Sequence, residues 1–527
     1  MSIKRKFCAL LTTEWEPELQ TVEVAMPFQL PQFQIIGLAG PEVAEARERI
    51  RAAFEESELE FPKRKVVVNL APARIRKQGT GADLAIALAI LERSLQQQDA
   101  GAWVAEEVWV ASGELGLDGG LRPMNQPLRT LQAAIRHQAD AVVFPEAERE
   151  KVATYASLLA CQGSRIPKIF LIRSLKDADL IFQGQLPPLK PDDSPDLPET
   201  RSKDPSQLLE ISWMDRTAVG IACAGRHHVL LLGPRGAGKT HLLDWIRFLR
   251  PPSATEDVLE RASIEEMGTP GSVDPFVYVS PTVRPSALIG SFQSGKWTPG
   301  ALSRANRGVL VADEFAEWSR DSRETLREPL ENGMISLTRT GGHLRIPSRF
   351  QWLGTSNLCP CGGWPIEIQV PDHLKSAKLP TCYCPKTSRD SYRQRISGPV
   401  IDRIDILWFM AAGLGKNSEK SHESEKRAHA LAAQVRDCRA RLIRSYSKLP
   451  SEMSPKEIQS WVEAHPEIFQ FEEETNETET LSFRRRHKWA RLTLSASAWL
   501  GSDRPHRTGF ELAKTLFSAG VASPVND

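Results

Sequence analysis

Apolar residues recur in two registers along this chain. In PEVAEARERIRAAFEES (41–57), Val43, Ala46, Ile50, Ala53 and Phe54 fall on one helical face, and Pro41 suits a first helical turn. ADLAIALAILERSL (82–95) is apolar almost throughout and predicts a largely buried helix. VVVNL (66–70) is short and β-branched and predicts a buried strand, and EVWVASGEL, AVVFPE and KIFLI add more strands. The N-terminal part is therefore expected to be α+β. Beyond residue 206, short apolar runs alternate with helical patterns, the signature of an α/β fold built on a parallel sheet with crossovers.

Polar stretches divide these patterns. LPPLKPDDSPDLPETRSKDPS (186–206) holds six prolines and reads as a linker, because proline removes backbone donors and favours extended chain. LGKNSEKSHESEK (414–426) interrupts the C-terminal part. FEEETNETET (471–480) carries five glutamates and no basic residue, and LSFRRRHKWAR follows with five Lys/Arg and no acid. Four segments are expected: an N-terminal domain over 1–185, the linker over 186–206, a core over 207–412 with a cysteine-bearing insertion at 359–384, and a helical region with a polar insertion over 413–527. The length, 527 residues, agrees with about three domains.

Composition narrows the function classes. The 67 Lys+Arg and 66 Asp+Glu nearly cancel, which excludes a bulk polycation that coats nucleic acid, although not a locally basic groove. A hydrophobic fraction of 41% with 25% charged residues excludes full disorder, and eight cysteines are too few for a disulfide scaffold. No run approaches the ~18 apolar residues of a membrane span. The start, MSIKRKFCALLTTEWE, has an apolar run too short for a signal-peptide core, so no membrane association and a cytoplasmic location are expected.

The strongest chemical signal is HHVLLLGPRGAGKTHLLDWIRFL (227–249), an apolar strand, a glycine-rich loop and a helix. GPRGAGKT matches G-x-x-x-x-G-K-[ST] over Gly233, Pro234, Arg235, Gly236, Ala237, Gly238, Lys239 and Thr240. The glycines let backbone N–H groups approach phosphates, Lys239 brings a positive charge to the outer phosphates, and Thr240 suits a Mg²⁺ ligand at the helix's positive end. GVLVADEF (308–315) ends a strand in Asp313, placed for the Mg²⁺ shell, and Glu314, placed to orient or activate water. RFQWLGTSN (349–357) ends another strand in Asn357, a hydrogen-bonding partner for that water or the terminal phosphate, or merely a turn residue.

Two further patterns stand apart. Cys359, Cys361, Cys382 and Cys384 form CPC, twenty residues, then CYC. Four thiolates in two close pairs suit structural Zn²⁺, with free buried thiols as the alternative, and they leave no open position for catalytic zinc. ISLTRTGGHLRIP (335–347) alternates around Thr340-Gly341-Gly342 and predicts a hairpin. Its Arg339, His343 and Arg345 suit a phosphate backbone, although a charged hairpin is also an ordinary solvated one.

The ordered set GPRGAGKT, LVADE, LGTSN, NLCPCGG and RISGPVIDRID resembles the magnesium-chelatase-like branch of the AAA+ ATPases, and within it the YifB/ComM family, which joins that module to an N-terminal Lon-protease-like domain. IIGLAGPEVAEARERIRAAFEESELEFPKRKVVVNLAPARIRKQGTGADLAIALAIL and SGELGLDGGLRP extend the likeness through the N-terminal half, and in all it covers roughly residues 20–410 and 481–515. The resemblance implies an AAA+ core with a C-terminal helical lid, a homo-hexameric ring with ATP between subunits, and Mg²⁺. It makes Arg403 of VIDRID the arginine finger toward the neighbour's nucleotide, with a structural pairing to Asp402 or Asp405 as the alternative. Arg484 is the sensor-2 match in the lid, with Arg491 as the alternative. In relatives such hairpins point into the ring's pore, and a similar cysteine-bearing insertion occurs. Where the family has a His-His pair, this chain has Thr282-Val283.

Lon proteases use a Ser–Lys dyad, but Gly81 stands at the serine position, Thr80 is the hydroxyl nearby, and LRPMNQPLRTL (121–131) has no lysine, so proteolysis is not expected. Lys63, Arg64, Lys65, Arg74, Arg76 and Lys77 form a basic cluster suited to nucleic acid or simply to solvent. The residues alone imply a ring-type ATPase; the resemblance implies, beyond that, an ATP-driven hexameric DNA motor, a branch-migration helicase acting on single-stranded or branched DNA in natural transformation or recombination. A protein remodeller, a chelatase-like ATPase and a nucleotide-gated scaffold are the alternatives.

Overall fold

The protein is described by a computed structural model that covers residues 3–10, 17–36, 41–72, 81–98, 105–192, 204–205, 208, 210–267, 276–293, 296–339, 342–396, 400–411, 422–469 and 483–517. Its N-terminal part opens with β1 (Ile3–Leu10), β2 (Leu19–Ala25), β3 (Gln32–Ile36), α1 (Pro41–Glu56) and β4 (Lys65–Ala71). Then come α2 (Asp83–Gln98), β5 (Ala105–Ala111), the two-residue strands β6 (Glu114–Leu115) and β7 (Leu121–Arg122), and α3 (Pro127–Arg136). β8 (Ala141–Pro145), α4 (Arg149–Cys161), β9 (Lys168–Ile172) and α5 (Asp177–Phe182) complete it.

Seven of these strands form one mixed sheet in the order β3-β4-β2-β1-β5-β8-β9. Strand alternation divides its side chains between two cores. Trp109, Ala111, Val143, Phe170 and Ile172 join the core containing α1 and α2, while Val110, Val142, Phe144, Ile169 and Leu171 join the one containing α3 and α4. The linker's first residues dock on this unit, with Leu189 N–H donating to Ile169 O at 2.7 Å and Asp192 N–H to Ser157 Oγ at 2.7 Å.

The C-terminal part begins with α6 (Trp213–Gly225), β10 (Val229–Leu232), α7 (Lys239–Leu249), α8 (Thr255–Glu266) and β11 (Phe276–Val279). α9 (Pro285–Ile289), the hairpin β12 (Gly290–Gln293) and β13 (Lys296–Pro299), and α10 (Ala301–Arg304) lead to β14 (Val309–Ala312). Next are α11 (Arg320–Glu324), α12 (Arg327–Asn332), the hairpin β15 (Met334–Arg339) and β16 (Gly342–Pro347), and β17 (Gln351–Ser356). α13 (Lys386–Ile396), β18 (Ile406–Phe409), α14 (His422–Tyr446), α15 (Pro455–Ala464), α16 (Phe483–Trp499) and α17 (Arg507–Phe517) follow.

Five strands form a wholly parallel sheet in the order β11-β14-β17-β10-β18, the α/β architecture expected from the alternating pattern. Both faces are covered: Val229, Leu231 and Val311 point to the core shared with the C-terminal helices, and Leu230, Leu232 and Leu310 to the opposite one. The register brings Leu232 opposite Ser356 and Phe409, and Ala312 opposite Gly354. The carboxyl ends of β10, β14 and β17 therefore open on one rim, where such sheets bind ligands.

Residues 422–464, within the region expected to be helical, contain packed helices. Ala428, Leu431, Ala432, Val435, Cys438 and Leu442 of α14 line one face at helical spacing and enter the C-terminal core. The two parts touch where Glu266 of α8 accepts the N–H groups of Leu128 and Arg129 at 3.0 and 2.9 Å, satisfying orphan donors of the first turn of α3. No helix among the described residues is long and apolar enough to cross a membrane.

Candidate active site

β10 consists of four buried residues, VLLL, and the glycine-rich loop leaves its carboxyl end for α7. Gly238 caps α7 at φ 84° and ψ 17°, a left-handed conformation that a residue with a Cβ adopts only under strain. The turn leaves backbone N–H groups at the positive end of an 11-residue helix, a ready anion site. Lys239 folds back over the loop, its Nζ donating to Gly233 O at 2.8 Å, Pro234 O at 2.9 Å and Asn357 Oδ1 at 3.0 Å. Burial pushes its amine down to about 8, while Asp313 and Glu314 pull it back up. The ammonium form still dominates at neutral pH. Thr240 follows it, exposed at the start of α7.

Asp313 and Glu314 leave β14 exposed, beside the end of β17. One hydroxyl organises both: Thr355 Oγ1 donates to Asp313 Oδ1 at 2.6 Å and accepts the Glu314 N–H at 3.0 Å. Glu314 itself sits at φ 45° and ψ 48°, an uncommon conformation for a side chain with a Cβ, which turns the chain sharply after the acidic pair. Thr355 was within the sequence motif LGTSN but carried no signal of its own. Loop amides, an ammonium, a hydroxyl and two carboxylates form a donor set suited to a nucleoside triphosphate with Mg²⁺.

Arg403 lies away from this loop in sequence and pairs with Glu331 at the end of α12. Arg484 of α16 binds the other oxygen of the same carboxylate at 2.8 Å. The alternative partner Asp405 is committed to the His228 N–H at 3.0 Å and to His227 Nδ1 at 3.4 Å. Lys488, one helical turn after Arg484, donates to Ile404 O at 2.9 Å and Ile401 O at 3.4 Å, holding the turn that carries Arg403. Arg491 faces elsewhere, donating to Met453 O at 2.6 Å. Sequence reasoning missed Glu331 and Lys488, which lie 72 and 84 or more positions from their partners.

The four cysteines converge. Their sulfurs all lie within 4.8 Å of one another, with Cys361 Sγ 3.6 Å from Cys359 Sγ and 3.7 Å from Cys382 Sγ, and Cys359 Sγ 3.0 Å from Cys382 Sγ. A Zn²⁺ held about 2.3 Å from each of four tetrahedral sulfurs requires edges of about 3.8 Å, so the cluster is compatible with zinc. The Gly363 N–H donates to Cys361 Sγ at 3.3 Å, which favours a thiolate there.

The nucleic-acid candidates are dispersed. β15 and β16 pair in antiparallel register, Ser336 opposite Arg345 and Thr338 opposite His343, which gives the expected hairpin with Arg345 exposed. Backbone positions of Arg339 and His343 lie near its tip, opposite Gly342 and Thr338. Lys63 is paired with Glu60 at 2.7 Å, and Arg64 lies 4.5 Å over the Phe28 ring, so two members of the N-terminal cluster are engaged locally. Lys65 heads β4, and Arg74, Arg76 and Lys77 lie outside the described residues.

Comparison with known proteins identifies the chain's relatives. Residues 211–417 match the family described as "Magnesium chelatase, subunit ChlI", and residues 22–148 match "Subunit ChlI of Mg-chelatase". The chain is 32% identical over 439 residues to an uncharacterised protein of Mycobacterium tuberculosis, covering 81% of each chain. It is 30% identical over 479 residues to the uncharacterised protein YifB of Salmonella typhimurium, covering 90% of this chain and 88% of YifB. Competence protein ComM of Haemophilus influenzae is 28% identical over 455 residues, with coverage of 84% and 83%.

Proposed function

We propose, from the premise that this chain belongs to the YifB/ComM family of magnesium-chelatase-like proteins, that it is a cytoplasmic, ring-forming motor that moves DNA at the expense of ATP. Family membership points to an AAA+ ATPase that uses ATP and Mg²⁺. The observation that carries the ATPase reading is the junction of Lys239 with Asn357 at one sheet rim, beside Asp313 and Glu314 joined through Thr355. In this reading Gly233 to Gly238 and Lys239 cradle the phosphates, Thr240 and Asp313 hold Mg²⁺, and Glu314 and Asn357 orient water. ATP with Mg²⁺ supplies the leaving group and the charge that these residues stabilise.

Arg403 and Arg484 share Glu331 and act together on a nucleotide held by a neighbouring copy, in a homo-hexamer. The β15–β16 hairpin, with Arg339, His343 and Arg345, contacts single-stranded or branched DNA through the phosphate backbone. The competence role in the name of the Haemophilus relative supports DNA integration during transformation or recombination as the setting. Zn²⁺ on Cys359, Cys361, Cys382 and Cys384 is structural. The N-terminal part, read as Lon-protease-like, serves as a scaffold rather than a protease, because a Cβ on Gly81 would stand 3.3 Å from Met124 Cε. An apolar thioether thus occupies the place where a dyad partner is needed.

The test is ATP hydrolysis by the full chain with and without single-stranded, duplex and four-way-junction DNA, with Glu314→Gln as the blank. DNA is expected to raise turnover several-fold in the wild type and not in the blank. Hydrolysis indifferent to every DNA would transfer the motor to a protein client or a metallocofactor.

A further inference from the structure

We propose that the four-cysteine cluster is a zinc site whose occupancy fixes the phosphate loop in its nucleotide-binding shape, so that metal loading sets nucleotide affinity. The coupling rests on the ATP-site reading above and adds to it a second centre that controls the first.

Three residues of the phosphate loop are tied to the segment that carries the first cysteine pair. The Gly233 N–H donates to Ser356 O at 3.3 Å, Lys239 Nζ to Asn357 Oδ1 at 3.0 Å, and the Arg235 N–H to Gly362 O at 3.3 Å. Cys359 and Cys361 lie between the second and third of these anchors. Gly362 shows how closely the two turns pack: its φ is +78°, and a Cβ there would stand 2.7 Å from Arg235 Cγ. The cysteine turn therefore rests directly on the tip of the phosphate loop.

The second cysteine pair closes the arrangement. The Trp364 N–H donates to Pro380 O at 2.6 Å and the Cys382 N–H to Trp364 O at 3.1 Å, which brings 380–384 alongside 359–364. Arg389 Nη1 donates to Cys384 O at 2.5 Å and its guanidinium pairs with Glu367. Apart from these bonds the cysteine turn is not part of a helix or a ladder strand. A metal ion bridging four sulfurs across the intervening twenty residues would remove much of its conformational freedom. Released from the metal, the turn is free to withdraw the Gly362 carbonyl, and with it the support of Arg235 and Asn357.

The experiment measures zinc content and affinity for a fluorescent ADP on full-length protein kept reduced. The forms compared are as purified, stripped by a chelator and returned to Mg²⁺ buffer, reloaded with zinc, and the variants Cys361→Ser and Gly362→Ala. One zinc per chain is expected. Stripping or Cys361→Ser should weaken ADP binding about tenfold or more, in the range typical of lost support around a metal centre. Zinc should restore the stripped wild type but not Cys361→Ser. Gly362→Ala should keep its zinc and still bind ADP weakly, because it breaks the contact and not the metal site.

Stripped protein that keeps its circular dichroism and binds ADP as tightly as before would overturn the coupling, as would protein that takes up no zinc. Gly362→Ala with full zinc and wild-type affinity would overturn the route through Arg235. Failure of zinc-loaded wild type to bind ADP at all would overturn the ATP-site reading together with the coupling.

Discussion

Thr355 has a single hydroxyl, yet that hydroxyl is both a donor to Asp313 and an acceptor for the backbone of Glu314. Valine has nearly the same shape and can do neither, so Thr355→Val should leave the fold and the Lys239 contacts intact while both carboxylates lose their reference point. Turnover is expected to fall about 10- to 100-fold with little change in ADP affinity, which is the mark of lost positioning rather than lost binding. Thr355→Ser keeps the hydroxyl and should recover most of the rate. Steady-state hydrolysis beside fluorescent ADP binding measures both quantities, and a valine variant with wild-type turnover would remove Thr355 from the site.

At the scale of elements, β10, β17 and β18 are joined by a polar pair, His227 buried and His228 half-buried, that the sequence shows only as His227-His228. His228 Nδ1 accepts the Trp352 N–H of β17 at 3.0 Å, which requires a neutral ring, and burial pushes its pKa down to about 4 from 6.5. As the pH falls below 6.5 the unfolded chain takes up a proton that the folded chain refuses, so stability declines down to about pH 4. The loss should approach roughly 3 kcal/mol over that window. Asp405, held below the ordinary carboxylate range by His227 despite its burial, adds a loss of the same sign only at still lower pH. Denaturant unfolding across pH 7 to about pH 4.5 measures the slope. His228→Gln should flatten it, and an unchanged slope in that variant would assign the acid sensitivity to other groups.

What the sequence disclosed follows the same division. The glycine-rich loop between a strand and a helix was legible because all three are contiguous, and the parallel sheet was legible because its strands are short apolar runs. Asp313, Glu314 and Asn357 stood at recognisable strand ends. Glu331 and Lys488 were not legible, since each gains its meaning from a partner brought near only by folding. Within the expected helical region, the apolar residues of α14 are interspersed with nearly as many charged ones, and the spacing from Ala428 to Leu442 marks its buried face.

For the whole molecule, the decisive question is whether Arg403 serves its own nucleotide or that of a neighbour. The Arg403 side chain is 12% exposed and that of Arg484 57%, and both converge on the Glu331 carboxylate, which sets two guanidinium groups together at an accessible edge. That edge suits the terminal phosphate of a nucleotide on an adjoining copy, where a second guanidinium stabilises the charge that develops in transfer. Arg403→Ala and Glu314→Gln should each abolish hydrolysis alone. Mixed in equal amounts and reassembled, they offer intact composite sites wherever an Arg403→Ala pocket meets a Glu314→Gln edge. Random assembly makes such junctions about one quarter of the total, half for the pocket times half for the edge, so up to about a quarter of the wild-type rate should return. If Arg403 acts within its own chain, no junction contains both groups and the mixture stays as inactive as its parts. Recovery that rises with total protein concentration, at fixed ratio, would further tie the activity to assembly.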